Sequence, residues 1–190
     1  MMSRIFGLTG APGAGKSTVA KILAGQHGAQ IIDADSFGHA ALLDRDNERQ
    51  LRRIFGDAIF TGEHIDRQKL GAVVFADAAR LRQLEAIVHP WIKEQILREL
   101  SALTAEIIGL DAPLLKALAS DELYEEIWLI TAPFDLRLAR VANRGWDAGE
   151  LARRDRCAQL YAANAPKVIE IVNDGDAVAL AEKIRRRMQR

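Results

Sequence analysis

Eight consecutive residues, Gly10-Ala11-Pro12-Gly13-Ala14-Gly15-Lys16-Ser17, followed at once by Thr18, satisfy the spacing G-x-x-x-x-G-K-[ST] without a mismatch. Each fixed residue type answers a demand of phosphate chemistry. Glycines let successive backbone N–H groups curl into an anion-binding nest. A helix that starts near Lys16 adds the positive end of its dipole. The Lys16 ammonium can then reach the β- and γ-phosphates of a nucleotide, and the Ser17 hydroxyl can ligate Mg2+. A plain glycine turn beside a surface lysine is the alternative, and the flanks argue against it. Ile5-Phe6-Gly7-Leu8 is a short apolar run before the loop, and Val19, Ile22 and Leu23 give the segment after it a helical face. Residues Ala11, Pro12, Gly13, Ala14, Gly15, Lys16, Ser17 and Thr18 are therefore predicted to cradle a nucleoside triphosphate.

Phosphoryl transfer also needs an acid, an acceptor site and a clamp of positive charge. Two apolar runs, Gln30-Ile31-Ile32-Asp33 and Glu106-Ile107-Ile108-Gly109-Leu110-Asp111, read as strands that each end on a carboxylate. In an open parallel sheet, ligands bind beyond the carboxyl ends of the strands, which places Asp33 and Asp111 near the loop. Asp33 can accept the proton of an acceptor hydroxyl, and Asp111 can hold Mg2+ directly or through water. The simpler reading is that each caps a helix. Arg140 and Arg144 lie four apart on a helical stretch, as a clamp over a triphosphate or as a solvated basic face. Arg153, Arg154 and Arg156 supply further cations. His39 and His89 lack metal-ligand spacing, and each alone reads as a hydrogen-bonded structural residue. The single Cys157 sits in no catalytic motif and suits a reducing compartment.

The elements that must position these residues alternate in α/β fashion. Residues 36 to about 104 read as almost wholly helical, with a helix at 36–43 capped by Asp35 or Ser36 and another at 67–75 capped by Asp66. A helix from about Ala78 is expected to end by Val88, because Pro90 disfavours a helical His89. Pro90 then opens a new helix with a stripe of Ile92, Ile96, Leu100 and Leu103. So long a helical block between strands predicts an inserted subdomain. Pro113-Leu114-Leu115 turns into a short helix, and Glu126–Thr131 is a fourth strand. Arginine-rich helices at Phe134–Asn143 and Asp147–Ala163 precede a fifth strand at Lys167–Val172. The last helix is expected to bury Val178, Ala181, Ile184 and Met188.

Composition sets the outer bounds. At 190 residues, 49% hydrophobic and 27% charged, the chain suits one soluble α/β domain with small insertions. Its formal net charge is zero, so no global field draws it to nucleic acid or to a membrane. The basic run from Lys183 to Arg190 reads as the solvated end of a helix, where cations complement the dipole, rather than as a nucleic-acid arm. No apolar stretch approaches the ~20 residues of a membrane span, and the N-terminus lacks a secretory apolar region, so the cytoplasm is the expected location.

Taken together, these pieces resemble the dephospho-coenzyme A kinase family. The resemblance starts at Gly7-Leu8-Thr9-Gly10 leading into the loop and continues through Ile32-Asp33-Ala34-Asp35, with His39 four residues on. Its most specific part is Gly62, Ile65-Asp66-Arg67, Leu70-Gly71, Val74-Phe75 and Asp77, followed by Leu84-Glu85-Ala86-Ile87-Val88-His89-Pro90. Asp111-Ala112-Pro113-Leu114-Leu115, Arg140 with Arg144, and Asn173-Asp174-Gly175 complete it.

The resemblance implies transfer of the ATP γ-phosphate, with Mg2+, to the ribose 3′-hydroxyl of dephospho-coenzyme A. It implies a three-layer phosphate-loop NTPase-type α/β fold on a parallel five-stranded sheet. The nucleotide core would comprise residues 1–35, 106–137 and 166–190, the helical coenzyme A domain 36–105, and a lid 138–165. Asp33 would be the base, with Lys16 and Arg140 acting on the transferred phosphate. Thr9, His39, Arg67, His89 and Asp111 would serve the acceptor, Arg140 and Arg144 the lid, and Asn173 with Gly175 the adenine. A monomer or small homo-oligomer is expected. Four places depart from the family's usual pattern: Ala11-Pro12 in the loop, Lys116-Ala117 after Leu115, Asp155 where the family usually has arginine, and the stretch from Gln159 to Asn173, which is slightly short and lacks the usual lysine register. The alternatives are a kinase for another nucleoside or small metabolite, and a silent nucleotide-binding paralogue. The Ile65–Asp77 and Leu84–Pro90 block, which a generic nucleotide kinase does not need, favours the first reading.

Overall fold

Short apolar runs between helices bury best in a sheet covered on both faces. Five of them pair in one all-parallel sheet of order β2-β5-β1-β6-β7, in which β1 is Arg4–Gly10, β2 Gln30–Asp33, β5 Ile107–Asp111, β6 Glu126–Thr131 and β7 Val168–Val172. This computed structural model describes residues 3–112, 123–162 and 168–189. The short helix expected at Pro113-Leu114-Leu115 and the Lys116-Ala117 turn lie outside them, as do the side chains of Arg156 and Cys157.

The described chain divides into two compact units, one containing the five-stranded sheet and the other spanning Ala34–Ala102. In the sheet unit, α1 (Lys16–His27) packs on the C-terminal helix α8 (Ala177–Met188). Phe6, Leu8, Val19, Leu23, Trp128, Ile130, Leu180 and Ile184 form its core, and the rings of Phe6 and Trp128 lie 5.1 Å apart. The second unit holds α2 (Ala34–Leu43), α3 (Arg45–Phe55), α4 (Arg67–Val74) and α5 (Ala78–Ala102) around Leu51, Ile59, Phe60, Ile65, Leu70 and Val74. Asp66 caps α4 as expected, accepting from the backbone N–H groups of Gln68 and Lys69. A two-stranded hairpin, β3 (Phe60–Thr61) with β4 (His64–Ile65), interrupts the expected run of helices.

Three expectations need correction. Helix α5 runs unbroken through Pro90, because Val88, Ile92 and Ile96 form one buried stripe across the proline. That packing outweighs the lost backbone hydrogen bond and the local clash. The helix expected over Phe134–Asn143 stops earlier: α6 is Phe134–Val141, and residues Ala142–Arg144 tighten into a 3-10 turn. Val178 is 77% exposed, since Leu180 and Ile184 set the buried face of α8 and residue 178 lies nearly opposite Leu180 on the helix.

One polar anchor ties α8 to the sheet. Glu126 accepts from the indole N–H of Trp128 at 2.8 Å and from Arg187 Nε at 2.9 Å, with a second contact from Arg187 Nη2. The Arg187 bond, aided by Trp128, holds the Glu126 carboxyl below its usual range. Glu126→Ala leaves a buried N–H without an acceptor and should destabilise the fold by about 2 kcal/mol, read from urea unfolding at neutral pH. Because the folded-state value is depressed, this contribution is complete above the ordinary 4.5 and is lost as pH falls through the folded value. The difference between wild type and variant should therefore shrink in acid.

Candidate active site

Strand β1 delivers the chain to the phosphate loop at Gly10, and α1 takes it away at Lys16. Two glycines are required between them. Gly13 (φ 75°) would place a Cβ 2.9 Å from the Arg137 carbonyl oxygen, and Gly15 (φ 104°) would place one 2.3 Å from Asn173 Nδ2. Both positions combine a left-handed backbone with a close neighbour that a side chain would displace.

The loop's carbonyls are accounted for one by one. Gly10 O accepts from Lys16 Nζ at 3.2 Å, and Ala11 O from the Ala14 N–H at 3.1 Å. Pro12 O accepts from Arg137 Nη1 at 3.4 Å, and Gly13 O from Arg140 Nη1 at 3.3 Å. Ala14 O accepts from Asn173 Nδ2 at 2.8 Å, and Gly15 O from the N–H groups of Thr18 and Val19. Every carbonyl from Gly10 to Gly15 thus has a donor within the protein, so the frame around the loop fixes its shape. Pro12 removes an N–H from the nest, yet its carbonyl is held like the others.

The two strand-end carboxylates come together. Asp33 and Asp111 are register partners across β2 and β5, and with Ser17 and Lys21 they line one recess of 280 Å³ beside α1. Thr9, buried in β1, lies next to Leu8, the register partner of Asp111. Among the described residues no group of three or more His, Cys, Asp or Glu side chains forms a metal cage. The Ser17 hydroxyl and the two carboxylates are nonetheless hard oxygen donors, the set that suits Mg2+ carried mainly by phosphates and water.

The two expected arginines make different contacts. Arg140, in the last turn of α6, reaches Gly13 O and also Asn173 O at 3.3 Å. Arg144 lies beyond the helix end, where its guanidinium stands 5.6 Å from the centroid of the Trp146 ring. Arg154, on α7 (Ala148–Ala162), sits 4.0 Å from the same ring, and Glu150 pairs with both Arg153 and Arg154. The four-residue spacing assumed a continuous helix, and the 3-10 turn breaks that assumption. Asn173 is buried on the loop, and Gly175 lies exposed just before Asp176, the cap of α8.

In the helical unit, His39 and Arg67 are exposed on α2 and α4, and His89 is half-buried on α5. Burial pushes the His89 imidazole below its usual value, against the pull of Glu85 one turn earlier, which favours the neutral ring at pH 7. Sequence reading missed Arg137, which is 8% exposed and placed three residues before Arg140. No local signal marks it, since its partners are the backbone carbonyls of Ala132 and Pro12 and the carboxylate of Asp155, 18 residues away.

Residues 4–180 match the dephospho-CoA kinase family. The chain is 37% identical over 153 residues to a dephospho-CoA kinase of Thermus thermophilus, covering 80% of this chain and 73% of that one. It is 35% identical over 189 residues to the dephospho-CoA kinase of Anaeromyxobacter dehalogenans, covering 95% and 88%. Among solved structures, the Thermus thermophilus protein TT1252 superposes with a TM-score of 0.82 at 31% identity, over 100% of this chain and 98% of that one. The shikimate kinase of Acinetobacter baumannii shares the fold at 21% identity and a TM-score of 0.51, over 98% and 93% of the two chains. The sheet order and the loop thus agree with a match that runs through both compact units, and the chain belongs to the dephospho-CoA kinase family.

Proposed function

We propose that the protein transfers the γ-phosphoryl group of ATP to the ribose 3′-hydroxyl of dephospho-coenzyme A, giving coenzyme A and ADP. The observation that carries this reading is the shared recess in which Ser17, Asp33 and Asp111 meet beside the phosphate loop. Asp33 accepts the proton as the 3′-oxygen bonds to the γ-phosphorus, while the bond from that phosphorus to the β,γ-bridging oxygen breaks and ADP departs. Lys16 leaves Gly10 O to neutralise charge on the β- and γ-phosphates. Arg140, already at the loop edge, adds positive charge as the bridging oxygen becomes negative. Ser17 and Asp111 would hold Mg2+, which when bound supplies further neutralisation of the triphosphate.

From the helical unit, His39, Arg67 and His89 bind the acceptor, joined by Thr9 and Asp111. Residues 138–165, carrying Arg140 and Arg144, act as the lid, and Asn173 and Gly175 border the adenine. Release of Arg144 from Trp146 is the motion this assignment requires. The protein works in the cytoplasm as a monomer or small homo-oligomer on a small-molecule acceptor.

ADP release measured with dephospho-coenzyme A, adenosine and shikimate as separate acceptors tests the assignment. Turnover confined to dephospho-coenzyme A supports it. Faster turnover with either other acceptor would replace it with a kinase of different specificity.

A further inference from the structure

One well-satisfied charged group of the sheet unit lies outside the reacting set. Arg137 projects from α6 into a site where its side chain is 10% exposed. Its Nη1 and Nη2 donate to Asp155 Oδ1 and Oδ2, each at 2.7 Å, which is the planar two-pronged pairing that only arginine provides. Its Nε donates to Ala132 O at 3.1 Å, and Nη1 also reaches Pro12 O at 3.4 Å. One guanidinium therefore joins three pieces of chain: the phosphate loop, the segment that follows β6, and α7.

The backbone agrees with the side chain. The Arg137 carbonyl lies so close to Gly13 that a Cβ there would sit 2.9 Å from it, so α6 rests directly on the loop. Three residues on, Arg140 takes the neighbouring Gly13 carbonyl. Asp155 is 17% exposed at the side chain, and its carboxylate fixes the plane of the Arg137 guanidinium. A side chain held by four hydrogen bonds has little freedom to let Pro12 move.

We propose that Arg137, oriented by Asp155, is a positioning residue that holds the phosphate loop in its nucleotide-binding shape and links α7 to nucleotide affinity. Arg137 touches no reacting atom. It acts through the Pro12 carbonyl, at the position where the loop has exchanged an N–H for a proline ring. The inference rests on nucleotide binding at the loop and is independent of which acceptor is phosphorylated.

The test measures ATP affinity by calorimetry without acceptor, together with the thermal midpoint, for wild type, Arg137→Lys, Asp155→Asn and the exchanged pair Arg137→Asp/Asp155→Arg. Lysine keeps the charge but loses the fork, so ATP affinity should fall about tenfold, with a smaller fall for Asp155→Asn. The exchanged pair can restore the link between α6 and α7, but a carboxylate at 137 cannot donate to Pro12 O or Ala132 O. It should regain thermal midpoint without regaining ATP affinity. Wild-type ATP affinity in Arg137→Lys and Asp155→Asn, with only the midpoint lowered, would reduce the pair to a structural tie and overturn the proposal. Recovery of both quantities by the exchanged pair would overturn it equally. Should the exchanged pair fail to fold, the two single variants decide. Failure of wild type to phosphorylate dephospho-coenzyme A would overturn the assigned reaction and leave these affinities readable.

Discussion

Lys16→Ala should lower the rate of phosphoryl transfer by about a thousandfold, with a smaller loss of ATP affinity. The asymmetry follows from where charge develops. In the structure the ammonium is held by Gly10 O, a backbone carbonyl that marks its resting place. The loop's N–H groups and the start of α1 bind the triphosphate in ground state and transition state alike, and they remain in the variant. The lysine, with Arg140 beside it, can follow charge as it moves onto the bridging oxygen during transfer. A thousandfold loss corresponds to about 4 kcal/mol of transition-state stabilisation. Single-turnover rates at saturating ATP measure it. Weaker ATP binding with an unchanged rate at saturating ATP would assign Lys16 a binding role only.

Asp33→Asn should cost a comparable factor, on the order of a thousandfold in kcat, through loss of the proton acceptor. Asparagine preserves size, so the thermal midpoint and the KM for ATP should change little. Asp111→Asn is the informative comparison, because the two side chains start from register partners on neighbouring strands. If Asp111 serves Mg2+ and Asp33 the acceptor, raising Mg2+ should recover part of the rate lost in Asp111→Asn and none of that lost in Asp33→Asn. Recovery in both variants would place both carboxylates on the metal and leave the base unassigned.

Much of this architecture is legible in the chain because it rests on local signals. The loop's glycines, the strand before it and the helix after it are each marked within a few residues, and the strand-end positions of Asp33 and Asp111 follow from the parallel sheet. Pro90 shows where local signals fail. A proline argues for a helix boundary, but Val88, Ile92 and Ile96 form one stripe, and burying it favours a single helix. Arg144 differs from the expected helical position for the opposite reason, since it ends a 3-10 turn closed by Gly145, at φ 71°, and stands over Trp146. Gly145 is visible in the sequence as a helix terminator, and its position one residue after Arg144 marks the break.

Arg137 is hardest to read because its partners leave no local trace. Two are backbone carbonyls, at Ala132 and Pro12, and the third is a carboxylate 18 residues away. Asn173 is similar: its resemblance-based place is near the adenine, while the structure shows its amide nitrogen donating to Ala14 O of the loop. A side chain that supports a loop through a carbonyl has no sequence motif of its own. The loop's chemistry is legible, and the scaffold that shapes it is visible only in three dimensions.

The measurement that bears most directly on the central claim is product identity. Purified protein is incubated with Mg2+, ATP and dephospho-coenzyme A, and the acceptor is followed by mass spectrometry, with the position of the new phosphate read from its nucleotide fragment. The expected product is coenzyme A, phosphorylated at the ribose 3′-oxygen, formed with one equivalent of ADP and lost in Lys16→Ala and Asp33→Asn. Unchanged dephospho-coenzyme A in the presence of bound ATP, or product formed equally well by Asp33→Asn, would contradict it.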